Sequence, residues 1–304
     1  MSTLIQLQAD TVRDNLYKAP FAARHGLSGH PLFTLDRLVR LAQSMDRDRI
    51  EYNAGRLAPD QRPEDTPGID LPAVEVIRRI ETCGAWMAIK NVELDPDYRA
   101  LLEGCLADIR AAQDADAEPV EDIRGFIFVS SAGSVTPFHV DPEQNILVQI
   151  AGDKVVRIFD NEDRSLVSEE DMEMSPDKHR NQRYSEDFET RARAFRLGEG
   201  DGVHIPYLWP HWVEAGESYS ISLAITWKTP SVIRANKIRF MNGALRRLGL
   251  PQAAPGRRPR LDGAKVFAYD AMRAGLEPFR RSESLRRLLR RVLFGRKANY
   301  YYGS

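Results

Sequence analysis

Cysteine is almost absent: the 304 residues contain two, Cys83 and Cys105. Both fall at apolar positions of expected helices and share no metal-ligand spacing, so no disulfide framework is indicated and a reducing compartment fits. No stretch reaches 18 uninterrupted apolar residues, so no transmembrane helix is expected. The opening MSTLIQLQAD has no basic patch followed by an apolar run, so no signal peptide is expected and the chain reads as soluble and cytoplasmic. Internal repeats are lacking. The net charge is −1, which by itself points to no partner, while 42% apolar residues suffice for a sizeable core and argue against wholesale disorder.

The charge is unevenly spread. Residues 231–304 carry 18 Lys/Arg against 4 Asp/Glu, which leaves the preceding part strongly acidic. Such asymmetry marks either an anionic partner for the basic end or a basic helix packed on the acidic body.

The N-terminal part has helical periodicity with irregular joints. Thr34 is placed to cap a helix with Leu35, Leu38, Val39, Ala42 and Met45 on one face. Residues 51–70, rich in Pro, Asp and Gly, read as a loop. Pro72 opens a helix with Val74, Ile77, Ile80 and Cys83, ended by Gly84. A short strand spans 86–90, and Asp95-Pro96 open another helix with Tyr98, Leu101, Leu102, Cys105 and Ile109 inward. From about residue 123 the texture changes to short strands at 125–130, 145–150 and 154–159, the last two joined by the turn Ala151-Gly152-Asp153. A polar segment, 161–193, has no clear period and reads as a long surface insertion over the mouth of the site. Strands resume at 194–196, 202–205, 212–215 and 220–227. Many short strands separated by turn residues predict a double-sheet jelly roll, mainly β with flanking helices at both ends. The expected division is 1–75 helical and irregular, 76–230 the β domain, and 231–304 a basic helical region. A last helix has Leu285, Leu288, Leu289 and Val292 as its apolar stripe, Arg286, Arg287, Arg290 and Arg291 opposite, and Gly295 as C-cap.

The chemistry is concentrated in two blocks. In TPFHVDPEQNILVQIAGDKVVRIFD, His139 and Asp141 are two apart, which on a strand places both side chains on one face. In GDGVHIPYLWPHWVEAG, His211 opens a later strand. Two imidazoles and one carboxylate on one face of an octahedron leave three positions open, the arrangement of the non-haem Fe(II) oxygenases. A bare HxD is weak evidence on its own. The second block, Gly200-Asp201, Ile205-Pro206 and Trp209-Pro210-His211-Trp212, adds the specificity. His204 is read as packed or outside the ligand set, His25, His30 and His179 as ordinary loop histidines, and Trp209, Trp212 and Trp227 as core.

These two blocks resemble the JmjC/cupin-like family of 2-oxoglutarate oxygenases, of the asparaginyl hydroxylase type. The match runs from about 123 to 227 and includes HxD at His139 and Asp141, then Asn145, Lys154, and the Gly-Asp…Ile-Pro block ending in His211. The resemblance implies a double-stranded β-helix and a metal set of His139, Asp141 and His211. It also implies that Lys154 meets the distal carboxylate of 2-oxoglutarate, with Thr136 and Asn145 beside the same co-substrate. By this alignment Ile225 occupies a last-strand position where some relatives carry Asn.

The implied activity is an Fe(II)- and 2-oxoglutarate-dependent dioxygenase, a hydroxylase that consumes O2, releases succinate and CO2, and acts on an unidentified protein, peptide or small-molecule substrate. A non-catalytic cupin-like regulator is the alternative, with the basic C-terminal helices on nucleic acid or another protein. Cupin isomerases and other dioxygenases carry HxH and Glu instead. For the C-terminal helix, homodimer packing is favoured over nucleic acid or a membrane surface.

Overall fold

The computed structural model describes residues 3–174 and 181–280. The helix expected around 285–295, and His179, lie outside the described residues. Twelve strands carry the architecture: β1 (Ile5–Gln6), β2 (Phe21–His25), β3 (Ile50–Ala54), β4 (Ala85–Lys90), β5 (Glu121–Ser130), β6 (Val135–His139), β7 (Gln144–Ala151), β8 (Lys154–Ile158), β9 (Arg193–Leu197), β10 (Asp201–Ile205), β11 (His211–Ala215) and β12 (Ser220–Lys228). The helices are α1 (Ala9–Asn15), α2 (Leu35–Ser44), α3 (Ala73–Arg78), α4 (Pro96–Ala111), α5 (Glu169–Met174), α6 (Pro230–Arg247) and α7 (Pro259–Arg280). Among the described residues no helix is long and apolar enough to cross a membrane.

The strands form two antiparallel sheets. The larger has the order β1-β2-β10-β7-β12-β5-β4-β3, the smaller β6-β11-β8-β9. The expected jelly roll is present. Period-two alternation decides what each face meets. On β7 and β12, Ile146, Val148, Ile150, Leu223, Ile225 and Trp227 point outward and join Leu38, Leu41, Ile77, Leu102 and Leu106 from the helices that cover the large sheet. Their alternates Leu147 and Ala224 point inward, where they meet Val156, Ile158, Val203, Ile205 and Val213.

Local signals act where the sequence places them. Thr34 accepts from the Arg37 amide at the start of α2, and Asp95 accepts from Asp97 and Tyr98 at the start of α4. The β7–β8 turn needs Gly152: its φ is +68°, and a Cβ there would lie 2.3 Å from the Tyr219 carbonyl oxygen. The N-terminal region differs from the reading above. It contributes three strands, β1 and β2 at one edge of the large sheet and β3 at the other, inside the stretch that reads as a loop. Strands of two to five residues with Pro, Asp and Gly nearby carry too little local pattern, and pairing forms them: β2 on β10, β1 on β2, and β3 on β4.

Candidate metal centre

Strand β6 is an edge strand, which is why it tolerates Pro137. It ends at His139, directly opposite His211 on β11, and the two rings stand 4.2 Å apart between centroids. Asp141 lies just past the strand. Pro142 follows it and disfavours helical backbone at Asp141, so the alternation continues and its carboxylate stays on the side of His139. Asp141 Oδ1 lies 3.7 Å from His139 Nε2, and Oδ2 lies 3.7 Å from His211 Nε2. Among the described residues these three side chains are the group whose ligand atoms converge, all within 4.8 Å of one another.

Each imidazole is oriented from behind. His139 Nδ1 donates to the Pro137 carbonyl at 2.7 Å, and His211 Nδ1 to the Trp209 carbonyl at 2.9 Å. That fixes the tautomer and turns both Nε2 lone pairs toward Asp141. Burial, and then the nearby His139, push the His211 pKa down to about 4, with Asp141 pulling the other way. The imidazole is therefore neutral at neutral pH, the form a metal requires. Two imidazoles and one carboxylate with no thiolate suit a divalent first-row metal such as Fe(II).

Beside the cluster opens a cavity of about 390 Å³, with Asp141, His139, Thr136, Asn145, Trp86 and Phe128 on its wall. The Thr136 hydroxyl accepts from Trp86 Nε1 at 2.9 Å. Asn145 is buried, and its Oδ1 has no hydrogen-bond partner among the described residues. Lys154 opens β8 with its side chain inward. It is 4% exposed, and its ammonium lies 5.7 Å from the ring centroid of Phe128, whose side chain lines the cavity. No carboxylate among the described residues pairs with it, and burial pushes its pKa down to about 7. A buried cation and a buried amide oxygen without partners, next to a cavity, fit an incoming carboxylate and hydrogen-bond donor.

The structure brings His139, Asp141 and His211 together, sets Thr136 and Asn145 on the adjoining cavity wall with Lys154 behind Phe128, and adds others. Glu51 and Asn53 on β3, Lys90 on β4, Arg124 on β5, and Glu143 and Lys228 also line the cavity. Lys90 pairs with Glu51 at 2.6 Å, and Lys228 with Glu143 at 3.7 Å and with Asp122. Burial first, and then Asp141, raise the Glu143 pKa to about 7. Glu51 and Asn53 went unread because the five-residue alternation of β3 runs straight into the Pro-, Asp- and Gly-rich stretch that reads as a loop. Ile225 is a correction: it points into the outer core, so the cavity-facing neighbour at that level is Thr226, opposite Asn145. His204 packs on the outer face, stacked 4.8 Å from Phe21, its Nε2 without a partner and its pKa pushed down to about 3 by burial. His25 is not in a loop. It belongs to β2, and its Nε2 meets the Gln149 carbonyl at 2.8 Å. Trp212 and Trp227 are core, as expected.

The insertion does reach the site. Asn181 forms an isolated bridge with His139 and lines the cavity, while Leu166, Val167 and Met172 pack beneath with Phe138 and Phe159.

A two-sheet jelly roll with a two-histidine, one-carboxylate cluster at one end defines a cupin-type protein. The chain belongs to the Cupin-like domain family, whose model matches residues 46–232, more than half of the chain. It is similar to lysine-specific demethylase 8 of Xenopus tropicalis, 34% identical over 103 residues, which are 30% of this chain and 22% of that protein. The chain thus matches about a fifth of that relative's length. Among solved structures it is similar to ycfD of E. coli, with a TM-score of 0.52 and 14% identity over 96% of this chain and 73% of that one, a likeness of fold.

Proposed function

We propose that the protein is an Fe(II)- and 2-oxoglutarate-dependent oxygenase, a hydroxylase acting in the cytoplasm on a substrate still to be identified. The observation that carries this is the convergence of His139, Asp141 and His211, with both Nε2 atoms aimed at the carboxylate. These three side chains hold the metal and leave coordination positions free for a chelating keto acid and O2. Lys154 neutralises the far carboxylate of 2-oxoglutarate, and Thr136 and Asn145 hydrogen-bond beside it. The inward Val156, Ile158 and Val213 keep the interior dry, which strengthens that ion pair. The bound pair supplies the oxidising power: oxidative decarboxylation of the keto acid to succinate and CO2 accompanies transfer of one oxygen atom of O2 to a substrate C–H bond. The family membership and the resemblance of the two motif blocks support the same reading. We also assign the C-terminal helices to homodimer contacts, because four large apolar side chains, Leu248, Leu250, Leu261 and Phe267, are exposed there.

The test is anaerobic. Metal-free protein receives Fe(II) and then 2-oxoglutarate while the visible spectrum is recorded. A weak charge-transfer band that needs both additions, and is lost in His211→Ala, is expected. Absence of the band together with no retained iron would overturn the reading.

A further inference from the structure

Helix α6 carries a polar line along one face. Asn236, Arg239, Asn242 and Arg246 follow one another at spacings of three, three and four. Three of them reach the insertion: Arg239 pairs with Glu169 at 2.8 Å, while Asn242 and Arg246 both contact Glu173. The fourth, Asn236, reaches the metal centre. Its Nδ2 donates to the carbonyl of Pro142 at 2.8 Å, one residue beyond Asp141. Its Oδ1 accepts from the Tyr207 hydroxyl at 2.9 Å, in the turn that leads to His211.

The two ligand-bearing segments are also tied to each other. The Tyr207 amide donates to Gln144 Oε1 at 3.0 Å, and the Leu208 amide to the Asp141 carbonyl at 2.9 Å. Leu208 itself has a φ of +59°, a conformation a leucine adopts only when its surroundings hold it. Asn236 thus closes a bracket around the stretch after Asp141 and the stretch before His211. A terminal amide suits this place because it offers a donor and an acceptor at one end of a short side chain.

We propose that Asn236 is a positioning residue of the metal centre: it sets Asp141 relative to His211, and so makes the C-terminal helix part of the metal site. The proposal rests on His139, Asp141 and His211 being metal ligands. Without Asn236 the Pro142 carbonyl loses its side-chain donor and the Tyr207 hydroxyl its acceptor, with Arg239 left as the hydroxyl's other partner, and ligands held less firmly bind metal more weakly.

The experiment uses the full chain and Co(II) alone. Metal-free protein is titrated with Co(II) against a competing chelator, followed by its visible absorption, and the melting temperature of the metal-free protein is measured in parallel. Asn236→Ala is expected to weaken Co(II) binding by about tenfold or more, with little change in melting temperature. Asn236→Asp still accepts from Tyr207 but has no donor for the Pro142 carbonyl, so it also binds weakly. Tyr207→Phe gives a smaller loss. Lys237→Ala, on the same helix but paired with Asp270 of α7, binds like the wild type. Binding by Asn236→Ala within twofold of wild type overturns the proposal, as does an equal loss in Lys237→Ala. Should Asn236→Ala not fold, wild-type affinity in both Asn236→Asp and Tyr207→Phe overturns it instead. A wild type that takes up no Co(II) removes the metal reading itself. A wild type that binds, with His211→Ala defective and the Asn236 variants intact, removes only the role of Asn236.

Discussion

If Lys154 meets the keto acid as proposed, its burial exchanges stability for binding. Its ammonium is buried with no carboxylate paired to it among the described residues, and burial has brought its pKa to about 7. A dicarboxylate ligand restores the charged form, so its binding takes up a proton once the pH exceeds about 7. Affinity for 2-oxoglutarate is therefore expected to be level below that pH and to fall above it, as calorimetry in buffers of different ionisation enthalpy will record. Lys154→Met is expected to abolish this pH dependence and weaken 2-oxoglutarate binding while leaving Co(II) binding intact. Because the unpaired cation is destabilising, the same variant should be more stable by about 1–3 kcal/mol in urea. A variant that loses stability and keeps its keto-acid affinity would contradict both roles.

At the scale of elements, the insertion and the C-terminal helix are one electrostatic unit. The Glu173 side chain on α5 is fully buried, and its two oxygens take the Arg246 guanidinium at 2.7 and 2.8 Å. Removing one partner leaves the other charge uncompensated, which costs about 3–5 kcal/mol for a fully buried pair. Arg246 remains 26% exposed, so Arg246→Met should lose about 2–3 kcal/mol, at or below that range. The check is chemical denaturation with amide hydrogen exchange, in which α5 and the insertion lose protection before the β-sheets. Uniform loss across the molecule would show that α5 and α6 are not a separate unit.

At the scale of the whole molecule, part of the charge asymmetry is met inside the described fold. Arg239, Arg246 and Lys237 of α6 are all engaged by Glu169, Glu173 and Asp270. Of the two meanings of a basic end, a helix packed on an acidic body accounts for Arg239 and Arg246 of α6. The exposed apolar residues lie apart from those pairs. Phe267, 76% exposed on α7, is expected to be a dimer contact. Phe267→Glu, and truncation before Ser282, should each reduce the mass in solution from two chains to one without changing Co(II) binding. A wild type that is already monomeric would remove the dimer.

The sequence by itself determined the parts whose signal is local. The ligand pair His139 and Asp141 comes from spacing two before a proline, His211 from a block dense in Gly, Pro and Trp, and the starts of α2 and α4 from Thr34 and Asp95. Strand β12 is legible from an alternation over nine residues, and β7 and β8 as short apolar, β-branched runs either side of a Gly-containing turn. Only the tertiary structure decided which residues share a wall. The one-residue difference between Ile225 and Thr226 reverses the face, and pairing with β5 and β7 sets it. Strands β2 and β3 form because β10 and β4 offer them a partner, and β1 because β2 then does. Asn236 and Pro142 are 94 residues apart. A hydrogen bond across that separation leaves no periodic trace in either segment, since it exists only after the barrel has closed and α6 has packed beside it.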